Sequence, residues 1–201
     1  HHFVVFGGNG LAQHISCILA DARKEHRVCV CNLFRSCLQV GAIRVFADCR
    51  NQFGNGVANA LTINTAGGTY FHDAVGQGTP LISLTTDLDA GLVSTDKVYI
   101  QGGRVDTTEA QTYGEAVHMS LATTLTASAV TFDKAVIGAS SLEVVGASNL
   151  KGADVTTTGS QIYGGAVTLG ANTTLTGLGV RFDGTVQGAT SARTLTIEAG
   201  T

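Results

Sequence analysis

From residue 53 onward, apolar and polar residues alternate in short bursts. Leu61-Thr-Ile63, Val130-Thr-Phe132, Leu142-Glu-Val144, Val167-Thr-Leu169, Val180-Arg-Phe182 and Leu195-Thr-Ile197 each set two apolar residues around a polar one. A period of two sends one set of side chains inward and the other outward, so each burst predicts a short β-strand. Between the bursts stand Gly, Asn, Asp and Ser, which accept the positive φ of tight corners. Gly67-Gly68, Gly102-Gly103, Gly170-Ala-Asn172 and Gly177-Leu-Gly179 are examples. The sole proline, Pro80, marks a turn in Gly78-Thr-Pro-Leu81.

The bursts recur. Tyr163-Gly-Gly-Ala-Val167 is matched in frame by Tyr113-Gly-Glu-Ala-Val117, roughly 50 residues earlier. Val105–Ser141 laid on Val155–Ser191 agrees at about half its positions without a gap. A shorter period lies inside the long one. Phe132-Asp-Lys-Ala-Val136 and Phe182-Asp-Gly-Thr-Val186 follow the tyrosine copies by about 19 residues, and Phe71-His-Asp-Ala-Val75 and Phe53-Gly-Asn-Gly-Val57 continue the series upstream. A spacing near 20 residues suits one coil of a β-solenoid. In a coil each strand bonds to the rungs above and below. Val, Leu, Ile and Phe then stack inside and Thr outside. Phe132 and Phe182 are expected in one column. Short strands also suit a β-sandwich. The likeness of successive segments, and the scarcity of Asn-Gly or Asp-Gly between matched runs, favour the coil.

Residues 1–50 lie outside the repeat and form a separate non-repeat segment, with the array taken as 51–201. All five cysteines (Cys17, Cys29, Cys31, Cys37, Cys49) fall there, with most of the arginines. One reading is α/β: a strand at Phe3–Phe6, a turn at Gly7–Gly10, a helix over Leu11–Glu25 and a strand at Arg27–Cys31. A glycine turn before a helix can hold a pyrophosphate. Here Gln13 replaces the third glycine of the nucleotide fingerprint, and Cys31-Asn32 stand where a ribose-binding acid belongs. Zinc is disfavoured, since Cys29-Val-Cys31 has one intervening residue and no second knuckle follows. Disulfides would leave one cysteine over. Another reading is a poorly ordered or non-native start to the array.

Composition narrows the function. Of 201 residues, 44% are hydrophobic and 13% charged, with net charge −3. That is neither a disordered nor a collagen composition. It argues against a phosphate-tracking surface, so nucleic acid is not an expected partner. No apolar run is long enough for a membrane-spanning helix, and no leader is seen. The chain starts His1-His2 without Met and stops in mid-repeat, which reads as a fragment.

Val155–Thr176 followed by Val180–Val186, with Phe71–Thr86 as a linking rung, resembles the repeats of filamentous-haemagglutinin-like adhesins and autotransporter passenger domains. The resemblance covers residues 53–201. It implies an all-β, right-handed parallel β-helix, secretion, an extracellular or outer-membrane-surface location, and an adhesive or stalk role. The implied partners are surface glycans or proteins, or other copies of the chain. It carries over no catalytic residues.

The candidate chemistry is weighed accordingly. Asp73, Asp133 and Asp183 recur beside the aromatic. A glycosidase needs two carboxyls a few ångströms apart, and β-roll calcium repeats need a dense Gly-Asp nonapeptide. Corner aspartates are the simpler reading. His72 and His118 read as outer-face substitutions, and Lys97, Arg104, Lys134, Lys151 and Arg181 as scattered solvated charges. Tyr113 and Tyr163 read as stacked rung residues rather than sugar platforms. No catalytic, cofactor or metal residue is assigned, and a non-enzymatic function is expected. The alternative is a β-helix enzyme acting on polysaccharide, which would need Asp, Arg and His together on adjacent rungs.

Overall fold

A computed structural model describes residues 17–18, 25–29, 37–39, 42–46, 60–65, 67–86, 97–152 and 154–200. Within them the chain is all-β. In order, the strands are β1 (Cys17–Ile18), β2 (Glu25–Cys29), β3 (Cys37–Gln39), β4 (Ala42–Phe46), β5 (Leu61–Thr65), β6 (Thr69–Phe71), β7 (Leu84–Thr86) and β8 (Lys97–Ile100). There follow β9 (Arg104–Asp106), β10 (Gln111–Tyr113), β11 (Ala116–Met119), β12 (Thr123–Thr126), β13 (Ala129–Phe132), β14 (Val136–Gly138), β15 (Leu142–Val144) and β16 (Ala147–Leu150). The last are β17 (Asp154–Thr157), β18 (Gln161–Tyr163), β19 (Val167–Leu169), β20 (Thr173–Gly177), β21 (Val180–Phe182), β22 (Val186–Gly188) and β23 (Leu195–Ala199).

From β9 onward successive strands go in turn to three different sheets, and from β2 to β8 they alternate between two of them, which makes a parallel β-solenoid of about 7 turns. Sheet A runs β1-β2-β4-β6-β8-β11-β14-β17-β20-β23, sheet B runs β3-β5-β7-β10-β13-β16-β19-β22, and sheet C runs β9-β12-β15-β18-β21. Only β1 with β2 is antiparallel among the described strand pairs. From β8 onward most coils take about 19 residues: Gln111 pairs with Val130, Val117 with Val136 and Leu142 with Gln161. The coils between β4 and β8 are longer. Val98 pairs with Thr69, and residues 72–83 make an excursion pinned to sheet C by bridges from Val75 to Val105 and Leu81 to Thr107.

The alternation read from the sequence is the pleat itself. In β10, β13 and β19 the outer two residues are buried and the middle one is half-exposed, or the strand carries one more half-exposed residue at its start. Inward side chains form columns. In sheet B, Ile63, Thr86, Tyr113, Phe132, Leu150 and Leu169 follow one another by register. In sheet C the column is Val105, Leu125, Val144, Tyr163 and Phe182. Each fully buried member contributes about 1.5–3 kcal/mol by leaving water, and the core runs unbroken through the rungs.

One expectation is corrected. Phe132 lies in sheet B and Phe182 in sheet C, so they share no column. The cause is a mismatch of periods. In the repeat β9 returns as β17, β10 as β18 and β12 as β20. With three strands per coil, the second copy lands one face round. Each aromatic still stacks, on its own rung neighbour: Tyr113 on Phe132 at 5.6 Å and Tyr163 on Phe182 at 5.4 Å.

The helix expected over Leu11–Glu25 falls mainly outside the described residues. Its described members, Cys17, Ile18 and Glu25, are in strands. The expected strand at Phe3–Phe6, the Gly7–Gly10 turn, Phe53–Val57, Cys31 and Cys49 also lie outside them.

Candidate functional surface

The interior holds one repeated polar device. Gln111 and Gln161 are fully buried among apolar columns. Gln111 donates from Nε2 to the carbonyls of Val105 (2.9 Å) and Thr126 (3.0 Å), and its Oε1 accepts from the Tyr113 hydroxyl (3.0 Å). Gln161 repeats this with Val155 (3.1 Å), Thr176 (2.9 Å) and Tyr163 (2.9 Å), and adds Thr157 Oγ1 (3.2 Å). The amide thus ties the carbonyls of two rungs where strands give way to corners. Burial pushes the phenols of Tyr113 and Tyr163 well above their ordinary range. Neither ring reaches solvent, so neither is a sugar platform, as the sequence suggested.

Outward positions also form columns, and the three faces differ. Sheet B presents Thr62, Thr85, Thr112, Thr131, Asn149 and Thr168 in register, with Asn149 Nδ2 donating to Thr131 Oγ1 at 3.2 Å. Sheet C presents Arg104, Thr124, Glu143, Ile162 and Arg181. Sheet A presents Tyr70, Tyr99, His118, Ile137 and Thr156. Tyr70 and Tyr99 lie face to face at 4.5 Å and 6°. His72 stacks on Tyr70 at 6.0 Å, and His118 tilts onto Tyr99 at 5.5 Å and 52°. Sequence reasoning did not single out Tyr70 and Tyr99. The usable signal was an aromatic in the polar phase of an alternation, in Thr69-Tyr-Phe71 and Val98-Tyr-Ile100.

The three aspartates are not brought together. Asp73 follows the sheet A strand β6, Asp133 the sheet B strand β13 and Asp183 the sheet C strand β21. Asp73 is exposed; Asp133 pairs with Lys151 at 3.1 Å and Asp183 with Arg181 at 2.9 Å. Arg104 pairs with the buried Asp106. So three of the charges expected to be scattered, Arg104, Lys151 and Arg181, are partnered. The cations of these pairs are more than half exposed, and such surface pairs contribute about 0–1 kcal/mol. Lys134 is exposed and Lys97 half-buried. Desolvation, with the neighbouring Lys97 second, holds the His118 imidazole below its ordinary value.

No three His, Cys, Asp or Glu side chains converge as metal ligands would among the described residues. No helix there is long and apolar enough to cross a membrane. No family model, no curated protein and no solved structure matches the chain.

Proposed function

We propose that this chain is part of a secreted or cell-surface repetitive β-helix protein of the filamentous-haemagglutinin or autotransporter-passenger kind, with an adhesive or structural stalk role. The observation that supports it is the division of labour between inside and outside. The rungs share one continuous core, while each outer position repeats at the strand spacing of about 4.8 Å. Such a rod carries its stability in the stack and leaves its faces free to vary. Binding is then spread over several rungs, with surface glycans, proteins or further copies as partners.

The test is solution scattering of the full chain, together with incubation on a panel of polysaccharides and surface proteins. A rod-like particle that is retained on one of these surfaces without altering it agrees with the proposal. Release of new reducing ends from a polysaccharide would replace it with the β-helix enzyme reading.

A further inference from the structure

His118 lies where the longer upstream coils give way to the regular ones. Its strand β11 pairs with β8 on one side and β14 on the other. The ring closes one end of the Tyr70–Tyr99 stack by resting on Tyr99. Its Nε2 is shut off from solvent and has no hydrogen-bond partner.

A neutral imidazole tolerates this, because its single proton can sit on Nδ1 and leave Nε2 bare. A protonated imidazole cannot, because both nitrogens then carry hydrogens and one N–H is stranded away from water. The ionisable neighbours sharpen the effect. From β8 the ring meets Tyr99 and Lys97, and Lys97 is a like charge. From β14 it meets Ile137, flanked by Val136 and Gly138, with nothing to titrate. The corners entering β11 and β14 carry the buried Glu115 and the exposed Lys134. Cation–π attraction to Tyr99 works the other way, but the tilted ring is not laid flat on the phenol face, and attraction to a ring does not replace a missing acceptor.

We propose that His118 is an acid-sensitive latch at this joint: neutral, it closes the tyrosine stack of sheet A, and protonated, it loosens β11 from β8. The rungs beyond, held by the apolar columns and the Gln161 network, stay closed. Acidification would then make a hinge at one place in an otherwise uniform rod.

The sign follows from linkage. A histidine that resists protonation when folded contributes stability above its free pKa, and that contribution is lost as pH falls through the free value towards the folded one.

The test is a histidine-resolved NMR titration of the full chain, with amide exchange of β8 and β11 referenced to β17 and β20. His118 should titrate below free histidine. Protection of β8 and β11 should fall by up to about tenfold per pH unit between the two pKa values, and His118→Gln should abolish that fall. Titration at or above the free value, or an undiminished fall in His118→Gln, overturns the proposal. Should that variant fail to fold, the unaltered chain decides: the loss of β8 and β11 protection must follow the His118 titration, and a loss displaced from it, or equal in β17 and β20, overturns the latch.

Discussion

The hydroxyl of Tyr163 donates to the Oε1 of Gln161 at 2.9 Å, two residues away on one strand and wholly inside the core. The same bond joins Tyr113 to Gln111 at 3.0 Å. Gln161→Leu would keep the volume but strand the phenol and the carbonyls of Val155 and Thr176. A loss of about 2–4 kcal/mol is expected, against about 1 kcal/mol for Tyr163→Phe. In the double variant the two costs should fall short of additive, because the pair shares one bond. Urea unfolding of the three variants checks this.

Phe132 and Phe182 hold equivalent places in the repeat but not in the stack. Phe132 is sandwiched by register between Tyr113 and Leu150, whereas Phe182 lies on the last strand of sheet C and is only partly covered. Phe132→Ala should cost about 3–5 kcal/mol. Phe182→Ala should cost clearly less, and equal thermal shifts would contradict the placement.

Two glycines allow close approach to very different degrees. A Cβ at Gly146 would sit almost on the carbonyl oxygen of Ala127, which is backbone of the rung before. At Gly138 its one severe contact would be the Met119 Cε at 2.6 Å, the end of a flexible side chain, with Thr157 Cγ2 and the Ser140 carbonyl oxygen at ordinary van der Waals distance. Gly146→Ala is therefore expected to lower the melting temperature sharply, by an amount typical of overpacking, about 1–3 kcal/mol or more. Gly138→Ala should change it little once Met119 turns away.

The chain has four tyrosines, and two of them, Tyr113 and Tyr163, are buried with raised pKa values. A phenol held neutral in the fold contributes stability that is complete below the unfolded pKa, near 10, and is lost as pH rises above it. Tyrosinate absorbance should thus rise in two stages, with Tyr113 and Tyr163 ionising only as the rungs unfold. A single reversible stage for all four, with far-ultraviolet dichroism unchanged, would contradict this.

Much of the fold was legible because a parallel solenoid writes its pleat into local sequence. The triplets around Thr131, Glu143 and Thr168 are the strands, and the glycines between are the corners. What was not legible is which face each strand joins. Nothing within Val130-Thr-Phe132 or Val180-Arg-Phe182 says B or C; only the number of corners already turned does. The outer tyrosines were missed for a related reason. Tyr70 and Tyr99 are adjacent through Cα pairing across a long coil, so they are far apart in sequence and stack only once the register is known. Gln111 and Gln161 look like surface polar residues in a window of five, and it is the corner carbonyls of other strands that make them interior.

The offset between repeat and coil has a geometric outcome. A three-sided rod decorated by a unit of eight sides behaves as a screw: the pattern turns by one side at each copy, and a third copy of the unit would be needed before the fourth faced the same way as the first. Neighbouring copies therefore look outward in different directions. A partner that grips one copy cannot slide straight along the rod to grip the next, so it gains no avidity from the pair unless it wraps around.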